Sequence, residues 1–94
     1  MFVNEVKLVG KIYNPIERHT NSGKTITEFG LSIYAGKSKE GKSQYKFITC
    51  KIWRGLSECE KSGDQYIMGK LAFDVWQKDG KEMSKPYILV EDMG

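Results

Sequence analysis

Between residues 45 and 54 the chain reads Tyr-Lys-Phe-Ile-Thr-Cys-Lys-Ile-Trp-Arg, and two kinds of side chain alternate along it. Period two belongs to a strand, whose successive side chains point to opposite faces. One face carries Ile48, Cys50 and Ile52. The other carries Tyr45, Phe47, Thr49, Lys51 and Trp53, with Arg54 at its end. A slip of one residue would exchange the faces. Burying the aromatic face would take Lys51 inside with it, and an unpaired buried ammonium costs more than the exchange gains. Ile48, Cys50 and Ile52 are therefore expected inside, each isoleucine worth roughly 1.5–3 kcal/mol when buried. The aromatics are expected outside.

The rest of the chain supplies partners for this strand. Residues 3–13 alternate Val6, Leu8, Gly10 and Ile12 against Glu5, Lys7, Val9 and Lys11, with a bend, a bulge or a close backbone approach expected at Gly10. Asn14-Pro15 is expected to end that strand, because proline brings no ladder donor. A turn-rich loop runs to residue 24. Residues 25–34 place Phe29, Leu31 and Ile33 inward and Tyr34 outward, and residues 36–43 form a basic hairpin loop without periodicity. Residues 55–63 have room for one helical turn or little more. Residues 65–77 read as a fourth strand with Ile67, Gly69, Leu71 and Phe73 on one face and a bend at Gly69. Asp79-Gly80 signals a hairpin, residues 82–84 return from it, and residues 87–90 form the fifth strand. The expected class is all-β, a five-stranded OB-fold Greek-key barrel with at most one short helical turn between strands 3 and 4. An SH3-like barrel competes, although these strands are long for it.

The 94 residues are expected to form one domain, 1–94. Cys50 and Cys59 make no Cys-x-x-Cys and His19 is the only histidine, so no zinc site and no cofactor are expected. His19 lies in a polar loop, and the pairs Glu58/Glu60 and Glu91/Asp92 sit among polar residues. None offers the paired nucleophile and base that catalysis requires. No basic leader precedes an apolar run, and no apolar run approaches the ~20 residues of a membrane helix. A cytoplasmic protein with reduced thiols and no membrane partner is expected.

The net charge is +3, but residues 37–54 hold six basic side chains against Glu40 alone. Lys37, Lys39, Lys42, Lys46, Lys51 and Arg54 thus surround the outward aromatics Tyr34, Phe47 and Trp53, while Trp76 lies near a hairpin end. Aromatics that stack bases and cations that follow phosphates make the pattern of a single-strand nucleic-acid surface. A solvated face explains the charges alone, and a subunit interface explains the aromatics alone. Tyr45 is the aromatic most easily assigned to an interface.

Several segments resemble bacterial-type single-stranded DNA-binding proteins (SSB). Asn4-x-Val6-x-Leu8-Val9-Gly10-Lys11 is similar to that family's opening strand, and Asn14-Pro15-Ile16-Glu17-Arg18 to its Asp-Pro-Glu-x-Arg turn. Ser22-Gly23-Lys24 followed by Phe29-x-Leu31 is similar to its second strand. Phe47-x-x-Cys50-x-Ile52-Trp53-Arg54-Gly55-Leu56-Ser57-Glu58 resembles its Trp-His-x-Val-x-x-Phe-Gly-Lys-Leu-Ala-Glu block. Tyr66 to Leu71, Trp76 and Asp79-Gly80 resemble its Gly-x-Leu-x-x-x-x-Trp ending. The resemblance implies an OB fold, sequence-independent binding of single-stranded DNA in replication, recombination or repair, and a homo-oligomer, tetramer or dimer. It places the stacking aromatics at Phe47, Trp53 and Trp76.

The chain also departs from the pattern. Lys37 stands where another stacking tryptophan is usual, leaving Tyr34 as its replacement. Val75 stands where a basic residue is usual, and the helix after Glu58 is shortened. The chain lacks the acidic tip that recruits replication proteins, so a compact phage- or plasmid-like member is expected. A primosomal protein B-type adaptor and an oligomeric scaffold without nucleic acid are the alternatives.

Overall fold

Period-two alternation carries five stretches into strands: β1 (Val6–His19), β2 (Thr25–Lys37), β3 (Ser43–Ile52), β4 (Asp64–Lys78) and β5 (Lys81–Met93). A 3-10 turn, Leu56–Glu58, lies between β3 and β4. These are elements of a computed structural model that describes residues 2–94; Met1, the first residue of the expected domain, lies outside the described residues.

The strands close into a barrel in the order β1-β2-β3-β5-β4. β1 serves both ends of the order. Its first half, Val6 to Lys11, pairs with β4, and from Lys11 onward it pairs with β2. Gly10 sits at this handover, where a Cβ would run into the carbonyl oxygen of Ser32. Gly69 makes the matching close approach, toward the carbonyl of Leu89, beside a register shift between β4 and β5. Of the expectations at Gly10 the close backbone approach is the one found, and Gly69, expected as a bend, is a second such approach. The barrel closes by the parallel pairs Cys50↔Ile88, Lys51↔Leu89 and Ile52↔Val90. This is the OB-type Greek-key barrel, not the SH3-like alternative.

Three boundaries differ from expectation. β1 does not stop at Asn14-Pro15. Asn14 takes φ 50°, the register slips between Tyr13 and Ile16, and pairing resumes at Ile16↔Glu28. The proline sits in a bulge, where its missing donor breaks no ladder bond. β2 continues past Tyr34 to Lys37 through a second irregularity. β5 begins at Lys81, because it pairs with β4 without a gap from Lys78↔Lys81 through Gly69↔Val90. Asp79 (φ 51°) and Gly80 (φ 76°) make the left-handed pair that such a two-residue turn requires.

The core is Phe29, Leu31, Cys50, Ile52, Cys59, Ile67, Ile88, Val90 and Met93. The inner face of β3 is the expected one. Leu71 and Phe73 share a strand with Ile67 but are exposed. β4 and β5 have by then left the barrel as a two-stranded arm. Cys59 lies in a polar stretch of sequence and is nonetheless fully buried.

Candidate nucleic-acid interface

The outward residues of β1, β2 and β3 form rows across the sheet: Lys11–Ser32–Phe47, Tyr13–Gly30–Thr49, and Tyr34–Tyr45. Phe47 is 66% exposed, although aromatic carbon gains nothing from water. Tyr13 meets it edge-on, with ring centroids 5.3 Å apart and planes at 80°. Gly30 lies beneath, where a Cβ would stand 3.5 Å from the Phe47 ring. Tyr34 and Tyr45 repeat the edge contact at 5.8 Å. Such pairs hold rings in place while leaving a face of one free to stack. These side chains line an open groove of about 800 Å³ with Val9, Lys11, Ser32 and Asp64.

Trp53 follows directly after β3 and is also exposed. The chain around it is fixed from below. The buried Thr27 hydroxyl donates to the Arg54 carbonyl at 2.7 Å, and the Leu56 amide donates to Glu17 Oε2 at 2.7 Å. Lys24 Nζ lies 6.0 Å from the Trp53 ring centroid. Trp76 is exposed on the arm, opposite Met83.

The basic residues separate into groups. Lys37, Lys39 and Lys42 are exposed at the β2–β3 hairpin. A tight turn shapes that hairpin: Ser38 accepts from Gly41 and, through its hydroxyl, from Lys42. Lys46 is exposed but alternates to the face opposite Phe47, beside Ile33. Arg54 is half-buried. Lys51 faces outward as expected, yet its ammonium is held by both carboxylate oxygens of Asp74 at 2.9 and 2.7 Å. It also lies 4.3 Å from the Tyr87 ring centroid. The expected aromatics Tyr34, Phe47 and Trp53 thus lie along one side of the barrel with Lys51, while Lys46 turns away from it.

Sequence reasoning passed over Tyr13, Ser32, Lys24 and Asp74. Tyr13 carried a signal, since it continues the outward alternation of Val9 and Lys11. Asp74 carried none, because its partner lies 23 positions away.

The family model described as "Single-strand binding protein family" matches residues 3–94. The single-stranded DNA-binding protein of Aquifex aeolicus (strain VF5) is 25% identical over 100 residues, which span 97% of this chain and 68% of that protein. Single-stranded DNA-binding protein 1 of Lactococcus lactis subsp. lactis (strain IL1403) is 36% identical over 58 residues, 60% of this chain and 39% of that protein. Among solved structures, the Plasmodium falciparum SSB in complex with ssDNA is similar at TM-score 0.78 and 16% identity, over 99% of this chain and 94% of that one. A deletion mutant of the Thermus aquaticus single-stranded DNA binding protein is similar at TM-score 0.73 and 22% identity, over 98% and 49%. These two likenesses speak for the fold alone. The match over residues 3–94 speaks for ancestry: the chain belongs to the single-strand binding protein family.

Proposed function

We propose that residues 1–94 form one non-catalytic unit that binds single-stranded DNA without reading its sequence, and so protects it during replication, recombination or repair. The observation that carries this is the two-thirds exposed Phe47 ring, steadied edge-on by Tyr13 on a glycine floor beside an open groove. Every base has a face to stack on such a ring, so the surface tolerates any sequence. Trp53 and Trp76 add further stacking rings, and Tyr34 with Tyr45 continues the line. Lys37, Lys39 and Lys42 supply cations for phosphates. Arg54 and Lys46 come second, by burial and by direction. Both curated relatives are named for single-stranded DNA binding, and one structural neighbour was solved with ssDNA.

The family also supports a homo-oligomer, dimer or tetramer. Tyr66, exposed on β4 outside the groove, is the apolar residue offered for that contact. No helix among the described residues is long and apolar enough to cross a membrane. A cytoplasmic site of action is part of this proposal and follows from the DNA it would bind. The test is a titration with oligo-dT at two salt concentrations, followed by tryptophan fluorescence and by native mass. Quenching that weakens steeply with salt is expected, with binding reduced in Trp53→Ala and in Trp76→Ala. Absence of quenching at low salt would leave the scaffold alternative standing.

A further inference from the structure

Lys51 shares the outer face of β3 with Phe47, and it is a cation the fold has already used. Its side chain is only 18% exposed. It is held between the Tyr87 ring on β5 and the Asp74 carboxylate on β4, across which β3 and β4 are joined although they do not pair in the sheet. Two short oxygens on one ammonium satisfy two of its donors, and the ring covers another side. A phosphate would have to displace a carboxylate that is covalently tethered to the same surface.

The position of Asp74 matters as much as its charge. On β4 the register runs Asp74↔Lys85, Val75↔Ser84, Trp76↔Met83 without a break, so Asp74 and Trp76 lie on the same face two residues apart. Here the arm has left the barrel. The side-chain amide of Asn4, two residues before β1, bonds both the amide and the carbonyl of Leu71 at 2.9 Å, two residues beyond the Val6↔Gly69 pair. Beyond it, Phe73, Val75 and Trp76 are exposed. Among the described residues, Lys51–Asp74 is the only ion pair that ties the arm to β3.

We propose that Lys51 and Asp74 form a latch that holds the β4–β5 arm against the barrel and so sets where Trp76 stands relative to Phe47 and Trp53. Both are positioning residues, acting through Trp76 and leaving the phosphates to other cations. The inference rests on the proposed ssDNA function for its consequence, but the latch itself exists without DNA.

The test uses Lys51→Met, Asp74→Asn and the exchanged pair Lys51→Asp/Asp74→Lys. Trp76 anisotropy is read first, without DNA, in a common Trp53→Phe background. Oligo-dT affinity and its salt slope are then read with and without Trp76→Ala. The latch requires lower anisotropy in each single variant and recovery in the exchanged pair. It also requires that Trp76→Ala lose fewer fold in affinity in the Lys51→Met background than in the parent, at an unchanged salt slope. Should Lys51→Met fail to fold, Asp74→Asn, altered at a half-exposed carboxylate, carries the same comparison. A salt slope that drops by about 0.7 on Lys51→Met, the value for one phosphate of a single strand deprived of its cation, overturns the proposal. So does unchanged anisotropy. If the parent protein does not bind oligo-dT at all, the functional proposal falls, and the anisotropy alone decides the latch.

Discussion

The hydroxyl of Thr27, fully buried on β2, donates to the main-chain carbonyl of Arg54 at 2.7 Å, just past the end of β3. This bond holds the chain where it leaves the sheet, directly beside the exposed ring of Trp53. Thr27→Val keeps the shape and removes the donor, so the Arg54 carbonyl loses its partner. A fully buried acceptor left without one costs about 1–3 kcal/mol, and this part-buried carbonyl should lose about 1 kcal/mol. Urea denaturation should show that loss in Thr27→Val and little of it in Thr27→Ser, which keeps the hydroxyl. An unaltered midpoint in Thr27→Val would remove the bond from any part in stability.

Gly10 and Gly69 should respond alike to alanine, and Gly30 should not. A Cβ on either of the first two meets a main-chain carbonyl oxygen of the neighbouring strand, Ser32 or Leu89, and a backbone carbonyl inside a ladder cannot rotate away. Overpacking of this kind costs about 1–3 kcal/mol and sometimes more. At Gly30 the new Cβ would meet the Phe47 ring at 3.5 Å, an ordinary contact. Thermal melts should therefore rank Gly30→Ala close to the parent and the other two well below it.

These glycines also show how much of the fold was legible in the sequence. Gly10 and Gly69 break runs of period two, which marks a bend at Gly69 and a bend, bulge or close backbone approach at Gly10, but does not say which carbonyl stands opposite. Ile48, Cys50 and Ile52 declared the core face because Lys51 opposed the alternative. Pro15 misled, because a missing donor is harmless in a bulge and nothing local announces one. Residues 82–84 are legible only as the return from the Asp79-Gly80 hairpin. Residues 81–85 are all exposed, so no burial imposes alternation on them. Alternation puts Lys51 outward, where it is found, but its capture by Asp74 is a product of closure and has no local trace.

Affinity and salt dependence should separate along the two kinds of residue. Phe47→Ala removes a stacking ring, worth about 1–3 kcal/mol per base, while leaving every cation in place. Oligo-dT binding should weaken at all salt concentrations with the slope intact. Neutralising Lys37, Lys39 and Lys42 together should flatten the slope, by about 0.7 for each phosphate of a single strand that is no longer neutralised. A Phe47→Ala variant with parental affinity would remove that ring from the site.

The core thiol of Cys50 makes the chain's stability depend on alkaline pH. Burial pushes it up from its ordinary value of 9.0 to about 12, since the folded interior solvates a thiolate poorly. Its hydrogen faces the Ile48 carbonyl, with sulfur and oxygen 3.8 Å apart. From about pH 9 to about pH 12 the unfolded chain has lost this proton and the folded chain keeps it, so the unfolded state binds fewer protons. Stability from this group is complete below about pH 9 and declines as pH rises, by up to about 1.4 kcal/mol per pH unit. Tyrosines and lysines titrate in the same range, so the measurement is a difference. Denaturation of the parent and of Cys50→Val should run parallel below about pH 9 and converge or cross above it, because valine has no proton to lose. Parallel curves through about pH 11 would mean that the thiol ionises equally in both states.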